Sequence, residues 1–239
     1  MSRAMSVQGK ASWTPSRLAL VERFFAGTAE SYDFIVHATT LGADGRWKRR
    51  IVDAIPKGAR RILDLASGTG ILTFAVAQRF PEAHVIGVEL RDEYLQIARR
   101  RARERGLDRV EFVLGRAEDY REGRYDAIVS SYLAKYADLA VLAHHARSML
   151  EPGGLVLMHD FTYPSNPAAE RLWRLQFALI QPFFGTVYPA WRPAFAGLPE
   201  LIRETRWVED LVAALRSQAF DPAVEELSVH GSTMVSARA

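Results

Sequence analysis

The chain has 239 residues, of which 49% are hydrophobic and 25% are charged, and it contains no cysteine. This composition indicates a globular chain long enough for one α/β domain, and it excludes intrinsic disorder, a disulfide framework and a thiolate metal site. The net charge of +3 is small, and the arginine-rich residues 99–105 lack interleaved aromatic side chains, so nucleic acid is not an expected partner.

The first part of the chain is predicted to be a tail followed by a helical cover. Residues 1–16 are polar and lack a hydrophobic signal core, which favours a frayed tail. Residues 18–29 and 45–55 have helical patterns around a loop at 37–44, and segment 17–58 is expected to cover one end of a sheet. No apolar stretch reaches the roughly 20 residues of a membrane span, so the expected location is cytoplasmic.

The middle of the chain alternates between short apolar runs and helical patterns. Buried parallel strands are indicated by the apolar runs at residues 62–65, 85–88, 110–114, 127–130 and 155–159. Helical patterns lie between them at residues 72–80, 93–105 and 139–150. This alternation predicts an α/β fold with a doubly wound, mostly parallel sheet, within a single domain at 17–239.

The last part of the chain departs from this alternation. Residues 161–206 are rich in aromatic side chains and are predicted to form a substrate cover, before a helix at 208–218 and a final antiparallel hairpin at 224–237. The core side of this cover is predicted from the helical periodicity of Leu172, Leu175, Leu179 and Phe183. A second interpretation stays open, in which part of the segment lines a channel for an apolar tail or contacts a bilayer.

A glycine-rich turn follows the first predicted strand. Gly68 and Gly70 allow the backbone to turn sharply after Asp64, and they leave no side chain between the backbone and a ligand. Glu89 ends the second strand, where an acid can accept hydrogen bonds from both hydroxyl groups of a ribose. Together, these features predict a cofactor that contains a nucleoside.

The turn also indicates which cofactor is bound. A dinucleotide fingerprint requires a third glycine, and Thr73 occupies that position. Asp64 suits a cationic ligand better than a pyrophosphate, and S-adenosylmethionine carries both an ammonium and a sulfonium. S-adenosylmethionine is therefore the expected cofactor, with S-adenosylhomocysteine as its product, and a nicotinamide or flavin nucleotide remains the alternative.

Five segments, at residues 31–33, 46–49, 64–73, 150–154 and 160–164, resemble motifs of the UbiE-like class I methyltransferases, which C-methylate precursors of ubiquinone and menaquinone. Residues 64–73 resemble the family's Asp-Leu-Ala-Gly-Gly-Thr-Gly-Asp-Leu-Thr, and residues 31–33 and 46–49 resemble its Lys-Tyr-Asp and Leu-Trp-Lys-Arg. Residues 150–154 and 160–164 resemble its Leu-Lys-Pro-Gly-Gly and Glu-Phe-Ser-Lys-Pro. The resemblance extends from about residue 29 to the C-terminus, and it implies a Rossmann-like methyltransferase fold.

Two segments differ from the family pattern. The family carries Leu-Arg-Asn-Val after its fourth strand, whereas Ala134 and Lys135 stand in place of that Arg-Asn pair. The family's Ala-Glu-x-Leu-Pro-Phe is shortened at residues 117–120. Both differences affect the expected substrate and leave the expected cofactor unchanged.

The resemblance and the turn together imply a cofactor site at the carboxyl ends of the strands. Asp64 and the turn are expected to bind the methionine moiety, Glu89 the ribose and Leu90 the adenine, while Tyr32 closes over the methionine end. The full set of expected cofactor residues is Tyr32, Asp64, Ala66, Ser67, Gly68, Gly70, Glu89, Leu90, Ala117, Glu118 and Ser130.

A base near the acceptor would help to deprotonate a phenol or quinol hydroxyl, which makes the ring carbon nucleophilic. His159 and Asp160 follow the fifth strand at the edge where such sheets bind ligands, and His37 lies in the predicted entrance loop. These three residues are the candidate catalytic groups. The predicted substrate-binding residues are Tyr132, Lys135 and Phe161, and no metal is expected.

The function that the resemblance implies is C-methylation of a polyprenyl quinol or a similar phenolic lipid. Two alternatives stay open: N- or O-methylation of another small molecule or lipid, such as phosphatidylethanolamine, and a non-catalytic module that binds S-adenosylmethionine. The expected partner is a small-molecule or lipid-like substrate. Peripheral contact with a membrane and formation of a homodimer are left open by the sequence.

Overall fold

The computed structural model describes residues 15–228 and 231–239. Its centre is a seven-stranded sheet with the strand order β3-β2-β1-β4-β5-β7-β6. The first five strands in chain order pair in parallel, and β7 lies antiparallel to both β5 and β6. The strands are β1 Arg61–Leu65, β2 His84–Glu89, β3 Val110–Leu114, β4 Tyr125–Ser131, β5 Leu150–Phe161, β6 Ala223–Ser228 and β7 Ser232–Arg238.

Helices cover both faces and the carboxyl-end edge of this sheet, as a doubly wound fold requires. They are α1 Pro15–Phe25, α2 Tyr32–Thr39, α3 Ala43–Ala54, α4 Ile71–Arg79, α5 Asp92–Glu104, α6 Leu139–Met149, α7 Pro167–Val187, α8 Arg192–Glu204 and α9 Trp207–Ser217. Short 3-10 turns lie at Ala29–Ser31 and Pro189–Trp191. The predicted fold class, including the antiparallel end hairpin, is confirmed.

The hydrophobic core has a layer on each face of the sheet. Residues of α6 and α9, such as Leu142 and Leu211, pack on one face, and residues of α3 and α4, such as Ile51 and Val76, pack on the other. The central strands are therefore buried on both faces, which explains why their sequences are continuous apolar runs. A third, aromatic cluster joins α1, α2 and α8 above the sheet edge.

The predicted loop at residues 37–44 is wrong. Helix α2 continues to Thr39 and α3 begins at Ala43, so a tight three-residue connection takes the place of a loop. Leu41 and Gly42 both have positive φ angles, 51° and 73°, and this left-handed pair reverses the chain within a few residues. His37 consequently lies in the last turn of α2.

Two smaller differences concern the ends of elements. Of the predicted tail at residues 1–16, only Pro15 and Ser16 lie among the described residues, and they begin α1. The fifth strand begins at Leu150 and not at residue 155, because a register shift opposite Tyr125 and Ala127 accommodates the Pro-Gly-Gly segment within the strand.

The predicted core side of the aromatic segment is also wrong. Leu172, Leu175, Leu179 and Phe183 are 48%, 54%, 66% and 64% exposed, on the outer side of α7. A second apolar row, which includes the buried Trp173 and lies one position along the helix, faces the rest of the protein instead. Because both rows have helical spacing, the pattern alone could not indicate which of them is buried.

Candidate active site

The glycine-rich turn connects β1 to α4 in a compact left-handed path. Ala66, Gly68 and Gly70 have φ angles of 61°, 58° and 88°, which a residue with a side chain rarely adopts. The Ser67 amide donates to the Val88 carbonyl at 3.0 Å and so ties the turn to β2. A Cβ atom added to Gly70 would lie 2.6 Å from the Phe74 ring, so glycine is required there on two grounds.

Asp64 lies at the carboxyl end of β1 and is 1% exposed. Thr73 of α4 donates to its Oδ2 at 2.6 Å, while Oδ1 has no hydrogen-bond partner among the described residues. Burial raises the pKa of Asp64 to about 7, although the hydrogen bond from Thr73 opposes this shift. A buried carboxyl group with one unsatisfied oxygen is suited to a ligand that carries a positive charge and N–H donors.

Glu89 ends β2 and holds the glycine turn from the other side. Its Oε2 accepts a hydrogen bond from the Gly68 amide at 2.9 Å, and its Oε1 accepts one from the Arg91 amide at 2.8 Å. Burial raises the pKa of Glu89, and these backbone hydrogen bonds oppose the shift. Each carboxylate oxygen can accept a further hydrogen bond, so the group remains able to bind a pair of hydroxyls.

The remaining predicted cofactor residues lie around this network. Ala66, Leu90, Ala117 and Glu118 line one small cavity of about 50 Å³, beneath α1. The hydroxyl groups of Ser67 and Ser130 are buried and have no hydrogen-bond partner within the described part of the chain. Together with Asp64 Oδ1, they are unsatisfied polar atoms at the strand ends, and they fit the amino-acid and nucleoside groups of S-adenosylmethionine. The individual roles of these residues stay predictions.

A second, larger cavity of about 350 Å³ adjoins the strand ends. Four predicted residues line it, namely Tyr32, Tyr132, Lys135 and Phe161, and so the structure brings the predicted substrate residues together with the predicted closing tyrosine. The rest of its wall is mainly aromatic and aliphatic and comes from α1, α2, α3, α7, α8 and the second 3-10 turn. Tyr136 lines both cavities and marks where they meet.

Tyr132 has a strained backbone and a partly buried side chain in this wall. Its φ angle is 70°, which is unusual for a bulky residue and typical of functional sites. Its ring stacks on Phe161 at 4.8 Å, and its hydroxyl donates to Asp44 Oδ1 at 2.7 Å. Burial and the neighbouring Asp44 raise the pKa of Tyr132 well above its usual value, so the phenol stays protonated.

Asp44 and Lys48 form a buried ion pair that the sequence analysis missed. The pair has i, i+4 spacing on α3, and both side chains are less than 10% exposed. The Lys48 ammonium also lies 4.8 Å from the centre of the Tyr132 ring. The spacing was visible in the sequence, but the contact with Tyr132, which reaches the pair from a distant part of the chain, was not.

Lys135 and Asp160 form a second buried ion pair, at the position where the resemblance predicts Arg-Asn and Glu. The side chains are 3% and 0% exposed, and Asp160 also accepts hydrogen bonds from the backbone amides of Lys135 and Phe161. Burial lowers the pKa of Lys135, and Asp160 opposes this shift. The Lys135 side chain lies at the wall of the apolar cavity, and its ion pair with Asp160 holds it in place.

The two predicted histidine bases lie in different surroundings. His159 is fully buried, and its ring nitrogens contact the hydroxyl groups of Ser131 at 3.0 Å and Ser232 at 2.7 Å. Burial and two lysines lower the pKa of His159 well below its usual value, so its ring is neutral. His37 is exposed on α2, and it is not among the residues that line the large cavity.

Asp33 joins the helical cover to the glycine-rich turn. Its Oδ1 accepts a hydrogen bond from the Thr69 hydroxyl at 2.5 Å, and its Oδ2 pairs with Arg101 of α5 at 2.6 Å. The neighbouring Tyr32 packs edge-on against Tyr94 at 5.2 Å. Through these contacts, the Ser-Tyr-Asp segment holds α2 against the predicted cofactor turn.

Within residues 15–228 and 231–239, no helix is long and apolar enough to cross a membrane. Over the same residues, no cluster of three or more histidine, cysteine or acidic side chains could hold a metal ion.

The seven-stranded sheet has the class I methyltransferase fold, which solved structures of methyltransferases share. The geranyl diphosphate C-methyltransferase from Streptomyces coelicolor A3(2) superimposes with a TM-score of 0.60 at 16% sequence identity, covering 82% of this chain and 79% of that chain. At this identity, the likeness concerns the fold alone.

More narrowly, the chain belongs to the ubiE/COQ5 methyltransferase family, whose sequence model matches residues 13–229. It is 33% identical over 208 residues to the demethylmenaquinone methyltransferase of Thermus thermophilus, covering 85% of this chain and 94% of that protein. It is 27% identical over 210 residues to the ubiquinone/menaquinone biosynthesis C-methyltransferase UbiE of Dinoroseobacter shibae, covering 86% and 84%. The predicted family and enzyme class are confirmed.

Proposed function

We propose that this chain is a C-methyltransferase that adds a methyl group to the ring of a polyprenyl quinol of the demethylmenaquinol type. The observation that carries the proposal is the aromatic cavity of about 350 Å³ beside the strand-end network, with the buried Lys135 in its lining. A flat apolar ring fits the aromatic walls, and a ring oxygen fits the Lys135 side chain. The names of the two relatives support the same assignment.

S-adenosylmethionine, when bound, supplies a methyl group that its sulfonium already activates. We assign its binding to the predicted residues at the strand ends: Asp64 Oδ1, Ser67 and Ser130 supply unsatisfied oxygens for its amino-acid end, and Glu89 supplies acceptors for its hydroxyls. Tyr32 closes the cavity from α2 and excludes water together with the surrounding aromatic rings.

The acceptor must lose a hydroxyl proton to become nucleophilic at carbon, and we assign this proton transfer to Tyr132 and Asp44. Tyr132 donates to Asp44, and its oxygen can accept a hydrogen bond from the acceptor hydroxyl at the same time. The acceptor proton passes to the Tyr132 oxygen while the Tyr132 proton passes to Asp44 Oδ1. The nearby Lys135 ammonium then stabilises the negative charge on the acceptor oxygen.

The predicted catalytic residues take different places in this proposal. Asp160 is a positioning residue that holds the Lys135 ammonium at the cavity wall. His159 joins the end of β4 to the beginning of β7 through its contacts with Ser131 and Ser232. His37 lies outside the cavity lining. Measuring kcat of variants across a range of pH tests the assignment. Tyr132→Phe and Asp44→Asn should each lower kcat by about 100-fold, which is the usual effect of losing a general base. An equal loss in His159→Gln, with Tyr132→Phe fully active, would return the role to His159.

Transfer of a labelled methyl group tests the function itself. Purified protein would be incubated with S-adenosylmethionine labelled in the methyl group and with chemically reduced demethylmenaquinone, and the product would be located by mass spectrometry. Label on a ring carbon is the expected result. Label on a ring oxygen would indicate an O-methyltransferase, and label on phosphatidylethanolamine offered in parallel would indicate an N-methyltransferase. Cofactor binding without turnover on any acceptor would indicate a non-catalytic module.

A lipid-tailed acceptor also bears on the partners that the sequence left open. The tail of a polyprenyl quinol is confined to a bilayer, so a protein that methylates its ring must meet the membrane or receive the lipid from it. We therefore include peripheral membrane contact in the proposal. A homodimer remains a prediction.

A further inference from the structure

Helix α7 exposes a continuous row of large apolar side chains, which we call the α7 stripe. Its members are Leu172, Leu175, Leu179, Phe183 and Val187, and each is between 48% and 66% exposed. They follow one another at intervals of three or four residues, so they lie along one side of the helix. Single exposed apolar residues are common, but a row of five on one helix indicates an interaction surface.

Positive charge borders the stripe. The charged residues of α7 are Glu170, Arg171 and Arg174, of which Arg174 pairs with Glu170 at 2.7 Å. Residues 175–191 contain no aspartate, glutamate, lysine or arginine. Arg46 of α3, which lines the same cavity as residues of α7, is exposed to solvent. An apolar row with arginines at its margin is complementary to an anionic bilayer, whose headgroups attract arginine and whose acyl chains accept leucine and phenylalanine.

The stripe also adjoins the opening of the large cavity. Gln176, Phe177 and Ile180 line the cavity from the neighbouring side of the same helix, and the Gln176 amide donates to the Thr39 carbonyl at 2.6 Å. Leu41, two residues further along, lines the cavity and is 75% exposed. The apolar surface is therefore continuous from the outer side of α7 into the cavity.

We propose that the α7 stripe docks the protein on anionic membranes and places the cavity opening against the lipid. This inference deepens the proposed function and, for the role of the cavity, rests on it. On the membrane, the stripe would lie at the boundary between headgroups and acyl chains, with Arg171 among the headgroups. A lipid-tailed acceptor could then move its ring from the bilayer into the cavity while its tail follows along an apolar path.

Vesicle binding tests the docking surface without any acceptor. The full chain would be sedimented with quinone-free vesicles of phosphatidylglycerol and phosphatidylcholine, and the partition coefficient would be measured. We expect Leu175→Asp combined with Leu179→Asp to lower this coefficient at least tenfold. The control is Val224→Asp, which places the same charge on another half-exposed apolar residue, on β6, and should leave the coefficient unchanged.

Arg171→Glu tests separately whether the positive charge beside the α7 stripe contributes to vesicle binding. This change should weaken binding to anionic vesicles roughly tenfold at low salt, and the effect should decline as salt is added. It should have little effect on binding to vesicles of phosphatidylcholine alone. The matched control is Arg103→Glu, which reverses an exposed arginine on α5, away from α7.

Three results would overturn the proposal: no binding of the unaltered protein to anionic vesicles, equal binding of the aspartate variant, or a dimer in solution that the aspartate substitutions dissolve. In the last case, the stripe would be an interface with a second copy of the chain.

A water-soluble quinol without a tail separates this proposal from the proposed function. The aspartate variant should methylate that quinol at the normal rate, which also shows that it is folded. Vesicle binding without quinol methylation would retain the docking surface and reject the quinol.

Discussion

Asp64 illustrates how the ionisation of a single buried residue links the stability of the protein to pH. Its carboxyl group is buried at the end of β1, and burial raises its pKa from 3.8 to about 7. In the unfolded chain, the same group ionises near its ordinary pKa. Between about pH 4 and pH 7 the folded state therefore holds a proton that the unfolded state has released, and stability falls as the pH rises through this range.

The first prediction concerns this pH dependence. Without cofactor, the stability of Asp64→Asn relative to the unaltered protein should rise by about 3 kcal/mol between pH 5 and pH 8, because asparagine does not ionise. Urea unfolding across this range measures the difference, and Asp53→Asn on the exposed side of α3 is the control. The same variant should bind S-adenosylmethionine more weakly. A difference that is constant with pH would contradict the raised pKa.

The buried pair of Lys135 and Asp160 gives the second prediction. Removing one partner leaves the other charge buried, which typically costs about 3–5 kcal/mol of unfolding free energy. Lys135→Met and Asp160→Asn should each show a loss of this size in urea unfolding. The combined variant should lose much less than the sum, because neither charge remains. Strictly additive losses would show that the two side chains are not coupled.

Individual residues were predictable from the sequence where a local pattern indicates their position in the fold. Asp64 and Glu89 were found because each ends an apolar run beside a glycine-rich turn or a second strand, and the structure places both at that edge. Asp44 and Lys48 were missed, although their i, i+4 spacing is visible. Their place in the site depends on the Tyr132 hydroxyl, and no local pattern predicts a contact between residues so far apart in the chain.

At the scale of elements, the five parallel strands were predicted closely, because a strand buried on both faces leaves a continuous apolar run. The covering elements were less predictable. The turn between α2 and α3 depends on Leu41 in a left-handed conformation, which the identity of a leucine does not suggest. Helix α7 is apolar on two adjoining sides, so its periodicity indicated a helix without indicating which side is covered.

The third prediction concerns the attachment of α2 to the glycine-rich turn. Asp33→Ala removes the hydrogen bond from Thr69 and the ion pair with Arg101, and it should lower stability by about 1–2 kcal/mol. It should also raise the KM for S-adenosylmethionine, since the turn loses its support. Glu30→Ala is the matched control, because Glu30 lies 3.9 Å from Arg100 and its side chain is 81% exposed. A control variant as impaired as Asp33→Ala would contradict the specific role of Asp33.

On the scale of the whole molecule, a rigid sheet supports a cover that is less deeply buried. Side chains of β1, β4 and β5 such as Ile62, Ile128 and Leu157 are at most 1% exposed, and helices pack on both sides of them. Helix α7 packs mainly on α8 and on the 3-10 turn that precedes α8. One whole side of α7 is left exposed. The strand ends are thus fixed, whereas the cavity wall that α7 forms is held by fewer contacts.

Amide hydrogen exchange provides the fourth prediction. Regions with few buried contacts open at a lower free energy than the core, so amides of β1 and β4 should exchange slowest and those of α7 fastest among the helices. S-adenosylmethionine should slow exchange around residues 66–70, whereas anionic vesicles should slow it along α7 and leave the distant strand β3 unchanged. Exchange in α7 as slow as in β4 would contradict this division. Because the two ligands are expected to protect separate segments, the experiment distinguishes a rigid cofactor site from a movable wall for the acceptor.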